Sequence, residues 1–286
     1  MSMHLVATSP DPSENVLAEL VMVDADIASR WLTRNHKNRP LRAARVEQCL
    51  ADMVGGRWRF NGETIKFSIG GQLLDGQHRL SALERTKGSG LVLPMLVVRG
   101  LPEESQITMD QGAKRTPGDQ LALSGLSRRN TTLVAAALRV YIVWMEDGLF
   151  GDRVRTAISA TRVVEFADAY PEIVRSAEDL SGVAVRIKCR PAVACALGIR
   201  LSEIDPTAAT EFLTMLDSGA GLITGSPILA LRERLDNIRA TKVRTSDREV
   251  LGLGVTAWNL WRDNRSVSKL QRPKGGWTRE NFPQPR

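Results

Sequence analysis

The strongest constraint on the fold is a change of sequence period near residue 116. Before that point apolar and polar residues alternate over short runs, as in residues 64–69, and this alternation is typical of strands. After it apolar residues recur every three or four positions, which is typical of helices. The sequence therefore predicts an α+β fold, in which a small α/β domain is followed by an all-helical domain.

The same pattern divides the chain into four segments. Residues 1–20 contain many turn-forming residues and are predicted to form a flexible N-terminal arm. Residues 263–286 are basic, rich in proline and glycine, and predicted to form a mobile tail. Between these ends we expect the α/β domain over residues 21–116 and the helical domain over residues 117–262.

Within the α/β domain the sequence predicts three strands. Residues 64–69 and 72–74 flank Gly70-Gly71, a pair that suits a tight hairpin turn. Residues 91–98 form a third, mostly apolar run. Pro94 within it indicates an edge strand or a bulge, because proline has no backbone N–H to donate. Helices are expected after the cap residue Asp24, over residues 42–54, and from Gln77 onward.

The most informative segment is LLDGQHRL at residues 73–80, where an apolar strand ends in Asp-Gly and a helix begins at once. Gly76 permits the turn and lets a ligand approach the backbone closely. The free N–H groups at the start of the helix, together with the helix dipole, attract an anion. Arg79 offers a fork of donors to phosphate oxygens, and His78 can donate to phosphate or transfer a proton near neutral pH. We therefore expect this turn to bind phosphate.

Asp75 is an acid placed beside these basic groups. It is a candidate Mg²⁺ ligand, a candidate partner that orients His78, and a candidate general base. The alternative is a plain Asp-Gly turn in which Asp75 caps the helix, while His78 and Arg79 are solvated or pair with Glu84. The residue types alone leave these alternatives open.

Several short motifs occur in a fixed order along the first 116 residues. They are NRPL at 38–41, RW with NGE at 57–63, DGQHRL at 75–80, LVVRG at 96–100, and Asp110, Gly112, Arg115 and Thr116. This order resembles the ParB/sulfiredoxin superfamily, and most closely the ParB-like nuclease domain proteins of actinobacterial phages and their hosts. The resemblance covers roughly residues 20–116 and does not extend to the helical remainder.

In that superfamily the strand–turn–helix element binds nucleotide phosphates. The resemblance therefore implies a nucleoside triphosphate as ligand, with Mg²⁺ as a candidate companion at Asp75. It implies five phosphate-binding residues: Gly76, Gln77, His78, Arg79 and Arg39. It implies three catalytic candidates: Asp75, His78 and Glu63. Glu63 is also a candidate metal ligand, or else a surface acid at the start of a strand.

Two positions within the turn depart from known members of the superfamily. Gln77 stands where sulfiredoxins carry a cysteine, and without a thiol their reaction is excluded. His78-Arg79 replaces the arginine pair of the partition proteins, so a preference for CTP is not implied.

Basic residues elsewhere provide weaker candidates for binding. Asp110, Lys114, Arg115 and Thr116 form a candidate second basic edge, for which a structural ion pair is the alternative. The helical part carries a candidate DNA-binding surface, for which solvated helix faces are the alternative, at Arg153, Arg155, Arg186, Lys188, Arg190, Lys242, Arg244 and Arg248. The tail carries candidates for nonspecific nucleic-acid contacts, for which a disordered terminus is the alternative, at Lys269, Arg272, Lys274 and Arg279 with Trp277. The net charge of +7 favours a phosphate-rich partner such as DNA, although it also serves solubility.

The expected function is therefore a ParB-like protein that binds nucleotide or nucleic-acid phosphates at the DGQHR turn. We expect an enzyme of phage or bacterial DNA metabolism: an NTPase, a nuclease or a kinase-like phosphotransferase. The alternative is a DNA-binding regulatory or partition module that lacks catalysis or uses CTP hydrolysis as a switch. A homodimer is a further candidate state. We expect a cytoplasmic protein without a membrane partner, because the sequence shows neither a long apolar run nor a secretory signal.

Overall fold

The structure is a computed structural model that describes residues 16–109, 115–146, 148–151, 158–241 and 245–286. The chain divides into two compact units, Met1–Lys114 and Arg115–Arg286. Among the described residues, the first unit contains a four-stranded mixed sheet and three α-helices, and the second contains eight α-helices. The predicted α+β class with a helix-rich part is therefore confirmed.

The sheet of the first unit is formed by β1 (Leu17–Val23), β2 (Thr64–Ser68), β3 (Leu73–Asp75) and β4 (Leu93–Leu101). Their order across the sheet is β1-β4-β2-β3. β2 and β4 run parallel, and the other neighbouring strands are antiparallel. The predicted hairpin joins β2 to β3, and Gly71 in its turn has a positive φ of 78°.

Three helices accompany this sheet: α1 (Ala25–Leu32), α2 (Ala43–Val54) and α3 (Gln77–Glu84). Asp24 is the N-cap of α1 as predicted, because its side chain accepts a hydrogen bond from the N–H of Ile27 at 2.7 Å. Alternate strand residues such as Ile65 and Val97 are fully buried in one apolar cluster with residues of all three helices, including Leu80. The helices therefore cover one face of the sheet.

Two features of this sheet differ from the sequence prediction. Residues 17–20, predicted to lie in the N-terminal arm, form the first part of β1. β4 lies inside the sheet, so the edge strand inferred from Pro94 is wrong, and its pairing with β1 shows no bulge there. Pro94 is tolerated because β4 begins to pair with β2 only at Leu96, so its missing N–H breaks no hydrogen bond on that side.

The second unit is a bundle of helices. They are α4 (Pro117–Leu123), α5 (Thr131–Met145), α6 (Ala160–Ala169), α7 (Pro171–Arg186), α8 (Pro191–Ser202), α9 (Pro206–Ser218), α10 (Pro227–Thr241) and α11 (Asp247–Arg262). The apolar spacing predicts seven helices in this unit, over residues 130–145, 160–169, 171–180, 191–203, 208–217, 227–238 and 247–261. These seven are confirmed, whereas α4 was not predicted. Short 3₁₀ helices occur at Glu103–Thr108 in the first unit and at Gly148–Phe150 in the second. No helix of the described residues is long and apolar enough to cross a membrane.

Helix α8 lies at the centre of this bundle. It packs against α5, α7, α9 and α11, and it is buried on nearly every side, as expected for a helix that is apolar all round. Gly198 allows the close approach of α9, since a Cβ atom at this position would lie only 2.8 Å from Cδ1 of Leu213. Gly198 of α8 therefore sets how closely α8 and α9 can approach each other.

The C-terminal segment after α11 is packed, and the prediction of a mobile tail is wrong. Trp277 and Phe282 are 8% and 7% exposed and belong to the core of the helical unit. The indole N–H of Trp258 donates to the carbonyl of Arg286 at 2.9 Å, which holds the end of the chain against α11. Trp277 is therefore a core residue, and its ring is not accessible to nucleic acid.

We expect Trp277→Ala to lower the free energy of unfolding of the chain by about 3–5 kcal/mol, because a large buried side chain leaves a cavity. Urea denaturation followed by circular dichroism measures this change. Lys274→Ala, which alters an exposed residue of the same segment, is the control and should change stability by less than about 0.5 kcal/mol. Equal denaturation curves for Trp277→Ala and the wild type would contradict the packed segment.

A single carboxylate organises the start of α5. Glu178 of α7 accepts hydrogen bonds from the hydroxyl of Ser127 at 2.7 Å and from the N–H groups of Arg128 and Arg129 at 2.6 and 3.1 Å. Burial by itself raises the pKa of Glu178, but these hydrogen bonds outweigh it and hold the pKa below the usual 4.5.

Because the pKa of Glu178 is lowered in the folded chain, the contribution of Glu178 to the free energy of unfolding depends on pH. The contribution of Glu178 is present above the pKa of the unfolded chain and is lost as the pH falls through the lower folded pKa. We expect Glu178→Gln to lower the free energy of unfolding by about 1–3 kcal/mol at pH 7, and the difference from the wild type to shrink below pH 4.5. Thermal melts of both proteins across this pH range test it, and a difference that does not vary with pH would contradict it.

Candidate functional site

A β-bulge places a lysine opposite Asp75. Phe67 of β2 pairs with Leu73 of β3, but Lys66 pairs with Asp75, so the register shifts by one residue between these pairs. Leu74 is the extra residue, as in a bulge that re-aims a neighbouring side chain. A regular hairpin would have placed Lys66 opposite Leu74. Lys66 was not predicted to belong to the site, because the alternating sequence pattern of the two strands gives no sign of the bulge.

The turn after Asp75 depends on glycine. Gly76 has a φ of 103°, which L-residues with a side chain rarely adopt. A Cβ atom at this position would overlap Cδ1 of Ile65 and would lie 3.4 Å from its Cα. Gly76 therefore lets α3 begin directly against β2. No side chain caps this helix, and the N–H of Gly76 donates to Oδ1 of Asp75 at 2.7 Å.

Charged groups converge at this turn. Nζ of Lys66 and Nη2 of Arg79 each lie 3.7 Å from Oδ2 of Asp75. Nη1 of Arg79 lies 3.7 Å from Oε2 of Glu63, while Nη2 donates to the carbonyl of Thr64 at 2.7 Å. The 3.7 Å contacts exceed the roughly 2.7–3.2 Å of an N–H···O hydrogen bond, so these ion pairs are loosely held. Two cations and two carboxylates are therefore brought together, and three of these four side chains, Asp75, Arg79 and Glu63, belong to predicted site residues.

The side chain of Gln77 is a structural connection. It is 5% exposed; its Nε2 donates to the carbonyl of Arg39 at 2.9 Å, and its Oε1 accepts from Nδ2 of Asn35 at 3.2 Å. The predicted contact with phosphate is therefore restricted to the backbone N–H of Gln77. The same bonds hold the backbone of Arg39 beside the turn, while the Arg39 side chain lies on the surface.

A network of amide side chains continues from Gln77 and fixes the loop between α1 and α2. Nδ2 of Asn38 donates to Oδ1 of Asn35 and to the carbonyl of Leu73, both at 2.7 Å. Nε2 of Gln106 donates to Oδ1 of Asn38 at 2.8 Å and to the carbonyl of Leu74 at 3.0 Å. The roles of these amide side chains were not predicted, although Asn38 belongs to the NRPL motif at 38–41.

His78 contacts the same loop. Its Nε2 accepts a hydrogen bond from the N–H of Arg42 at 3.1 Å, so Nε2 carries the lone pair and Nδ1 is the nitrogen able to donate. Since Nε2 is engaged, a proton transferred by His78 to a ligand in this arrangement has to leave from Nδ1. The predicted proton donation by His78 is therefore assigned to its Nδ1 atom.

The candidate second basic edge is not assembled by the described residues. Asp110 and Lys114 lie outside them. Thr116 is the N-cap of α4: its hydroxyl accepts from the N–H of Asp119 at 3.2 Å, and its own N–H donates to the Asp119 carboxylate at 2.7 Å. This capping box explains Thr116, and Arg115 and Thr116 both fall in the second unit.

Metal binding by the protein alone is not supported, because no three acidic, histidine or cysteine side chains of the described residues are clustered to hold an ion. Mg²⁺ often binds through one or two carboxylates together with substrate phosphates. Asp75 and Glu63, both within 3.7 Å of Arg79, fit that smaller protein contribution. Glu63 is the more accessible, with 67% of its side chain exposed.

Three of the basic residues predicted for DNA binding are paired within the helical unit. Arg153, Arg155, Lys242 and Arg244 lie outside the described residues, and the guanidinium of Arg248 lies 5.3 Å from the centroid of the Phe150 ring. Arg186 lies 2.6 Å from Asp217, Lys188 lies 2.8 Å from Asp236, and Arg190 lies 2.7 Å from Asp247. Each pair cancels much of the positive charge that would attract a phosphate backbone.

Comparison with known proteins gives no match. No family model, no curated protein and no solved structure is similar to this chain. The geometry of the turn and its surroundings is therefore the basis for a functional assignment.

We expect Gly76→Ala to destabilise the chain by more than the roughly 1–3 kcal/mol of an unfavourable backbone conformation, because Ile65 leaves no space for a methyl group. Gly88→Ala is the matched control, since Gly88 has a similar φ of 87° but nothing within 4 Å of an added Cβ. Chemical denaturation of both variants separates the two contributions. Equal losses of stability would show that the contact with Ile65 is unimportant.

Proposed function

We propose that the first unit is a ParB/sulfiredoxin-like domain that binds the phosphates of a nucleoside triphosphate at residues 75–79 and catalyses phosphoryl transfer or phosphodiester hydrolysis. The observation that supports this most directly is the convergence of Lys66 and Arg79 on Asp75, within 3.7 Å, at the start of a helix that no side chain caps. Such a start, with cations beside it, is suited to bind an anion.

The basic groups of this cluster supply charge neutralisation, which is the main requirement of phosphoryl transfer. Lys66 is a mobile point charge, with 29% of its side chain exposed, and is placed to contact phosphate directly. Arg79 is more rigid: only 14% of its side chain is exposed, and the carbonyl of Thr64 fixes its orientation. The two cations therefore differ in role: Lys66 adjusts its position to the ligand, whereas Arg79 keeps a fixed orientation.

The two carboxylates of the cluster provide the acid–base function. Asp75 is held by the N–H of Gly76 at 2.7 Å and faces Lys66, so it is positioned to accept a proton from an attacking water or hydroxyl group. Glu63 is more exposed and is the residue that would bind a Mg²⁺ ion accompanying the nucleotide. That ion would supply further neutralisation of phosphate charge.

The alternative of a DNA-binding regulatory or partition module receives less support. The net charge of +7 is compatible with a nucleic-acid partner, and we keep DNA metabolism as the proposed setting. The ion pairs of Arg186, Lys188 and Arg190, however, reduce the positive charge of three of the residues predicted to form the basic surface of the helical unit.

We expect Asp75→Asn to reduce turnover by about 10²- to 10⁴-fold, because the amide no longer accepts a proton. Nucleotide affinity should be retained or increased, since one negative charge beside the phosphates is removed. Fluorescent nucleotide titration measures binding. Phosphate release from each of the four ribonucleoside triphosphates and cleavage of plasmid DNA, both with Mg²⁺ present, measure turnover.

Asp26→Asn is the matched control, because Asp26 is an acid of the same unit whose side chain is 64% exposed on α1. It should alter neither binding nor turnover. Unchanged turnover in Asp75→Asn would remove Asp75 from the chemistry, and failure of the wild-type chain to bind any nucleotide would overturn the proposed function.

A further inference from the structure

The loop between α2 and β2, residues 55–63, presents an aromatic ring to solvent. Phe60 is 52% exposed, whereas four of the other five phenylalanines of the chain are buried. An exposed aromatic side chain forgoes part of the favourable free energy of burying its apolar surface, so such a ring on a polar loop is a candidate contact for a ligand.

This loop is fixed at its start. Nε of Arg57 lies 3.0 Å from Oδ1 of Asp52, and Nη2 of Arg57 donates to the carbonyl of Ala51 at 2.7 Å, both on α2. At its end Glu63 lies 3.7 Å from Arg79 of the phosphate site in a loose ion pair. Because α2 holds the start of the loop, the conformational entropy lost when a ligand contacts Phe60 is reduced.

The position of Phe60 along the loop places it near the phosphate site. It precedes Glu63 by three residues, which span at most about 10 Å even when fully extended. The chain is not fully extended, because the N–H of Glu63 donates to Oδ1 of Asn61 at 3.0 Å and Gly62 has a positive φ of 78°. The Cα atoms of Phe60 and Glu63 are therefore less than about 10 Å apart, and the carboxylate of Glu63 in turn lies 3.7 Å from the guanidinium of Arg79.

We propose that Phe60 is a stacking platform for the base of the nucleotide whose phosphates bind at residues 75–79, an inference that rests on the proposed function. Every nucleobase has a π-face, so stacking supplies affinity without selecting a particular base. Phe60 has no polar atom with which to distinguish base edges. The site accordingly accepts several nucleoside triphosphates with similar affinity and binds each more tightly than a phosphate chain without a base.

The test is isothermal titration calorimetry on the full chain with ATP, CTP, GTP and UTP, and with inorganic tripolyphosphate as the probe without a base. Three substitutions separate stacking from other contacts: Phe60→Ala removes the ring, Phe60→Leu keeps an apolar side chain without a π-face, and Phe60→Tyr keeps the ring. Ile69→Ala is the matched control, because Ile69 is an apolar residue of the same unit that is 66% exposed just beyond the opposite end of β2.

We expect Phe60→Ala and Phe60→Leu to weaken binding of all four nucleotides by about tenfold, the usual effect of losing one stacked base. Tripolyphosphate should bind these variants as it binds the wild type. Phe60→Tyr and Ile69→Ala should match the wild type with every ligand. Thermal melts check that each variant is folded, and Phe60→Leu remains informative if Phe60→Ala is not.

The outcomes distinguish failure of this inference from failure of the proposed function. If the wild type binds tripolyphosphate and nucleotides equally, or if Phe60→Leu weakens neither or both by the same factor, the platform is wrong and the phosphate site stands. If the wild type binds neither tripolyphosphate nor any nucleotide, both proposals are overturned.

Discussion

The absence of a side chain at Gly76 is the constraint on which the candidate site depends. Ile65 fills the space next to it, so β2 and the start of α3 approach each other without an intervening group. This approach lets Arg79 in the first turn of α3 reach both the carbonyl of Thr64 and the carboxylate of Glu63. The positive φ of Gly76 directs the chain from Asp75 into the helix. The charges of the site are thus positioned by packing and backbone geometry.

Amide side chains next to the turn hold it in position through hydrogen bonds. Gln77, Asn35, Asn38 and Gln106 connect the backbone of the NRPL loop, β3 and the turn through direct hydrogen bonds. If one hydrogen bond of such a network were broken, the buried polar group left without a partner would cost about 1–3 kcal/mol of stability. The network therefore favours one arrangement of the loop and holds the backbone at Arg39 and Arg42 beside the first turn of α3.

Local sequence signals predicted most of the fold, and the failures have physical causes. Caps such as Asp24 and the change of period near residue 116 are local, so the described α-helices other than α4 and three of the four strands could be predicted. The strand β1 was not predicted, because its apolar residues, including Leu20 at 61% exposure, do not alternate clearly with polar residues along the sequence. Trp277 and Phe282 follow no helical or strand period, so their burial depends on tertiary packing that composition does not reveal. At the site the sequence indicated Asp75, Gly76 and Arg79, but the bulge that brings Lys66 opposite Asp75 involves pairing between strands.

The charge balance of the cluster indicates how a phosphate would enter it. Lys66 and Arg79 are matched by Asp75 and Glu63, so the cluster is close to neutral, and an added anion requires one carboxylate to give way. Glu63 is 67% exposed and only loosely paired at 3.7 Å, whereas Asp75 is 28% exposed and bonded to the N–H of Gly76. Moving Glu63 therefore costs less, because an exposed ion pair contributes at most about 1 kcal/mol. On the proposed function, Glu63 is the residue that would leave Arg79 and hold a metal ion accompanying the nucleotide, while Asp75 would stay in place. Moving this one surface carboxylate would connect phosphate binding to the loop that carries Phe60.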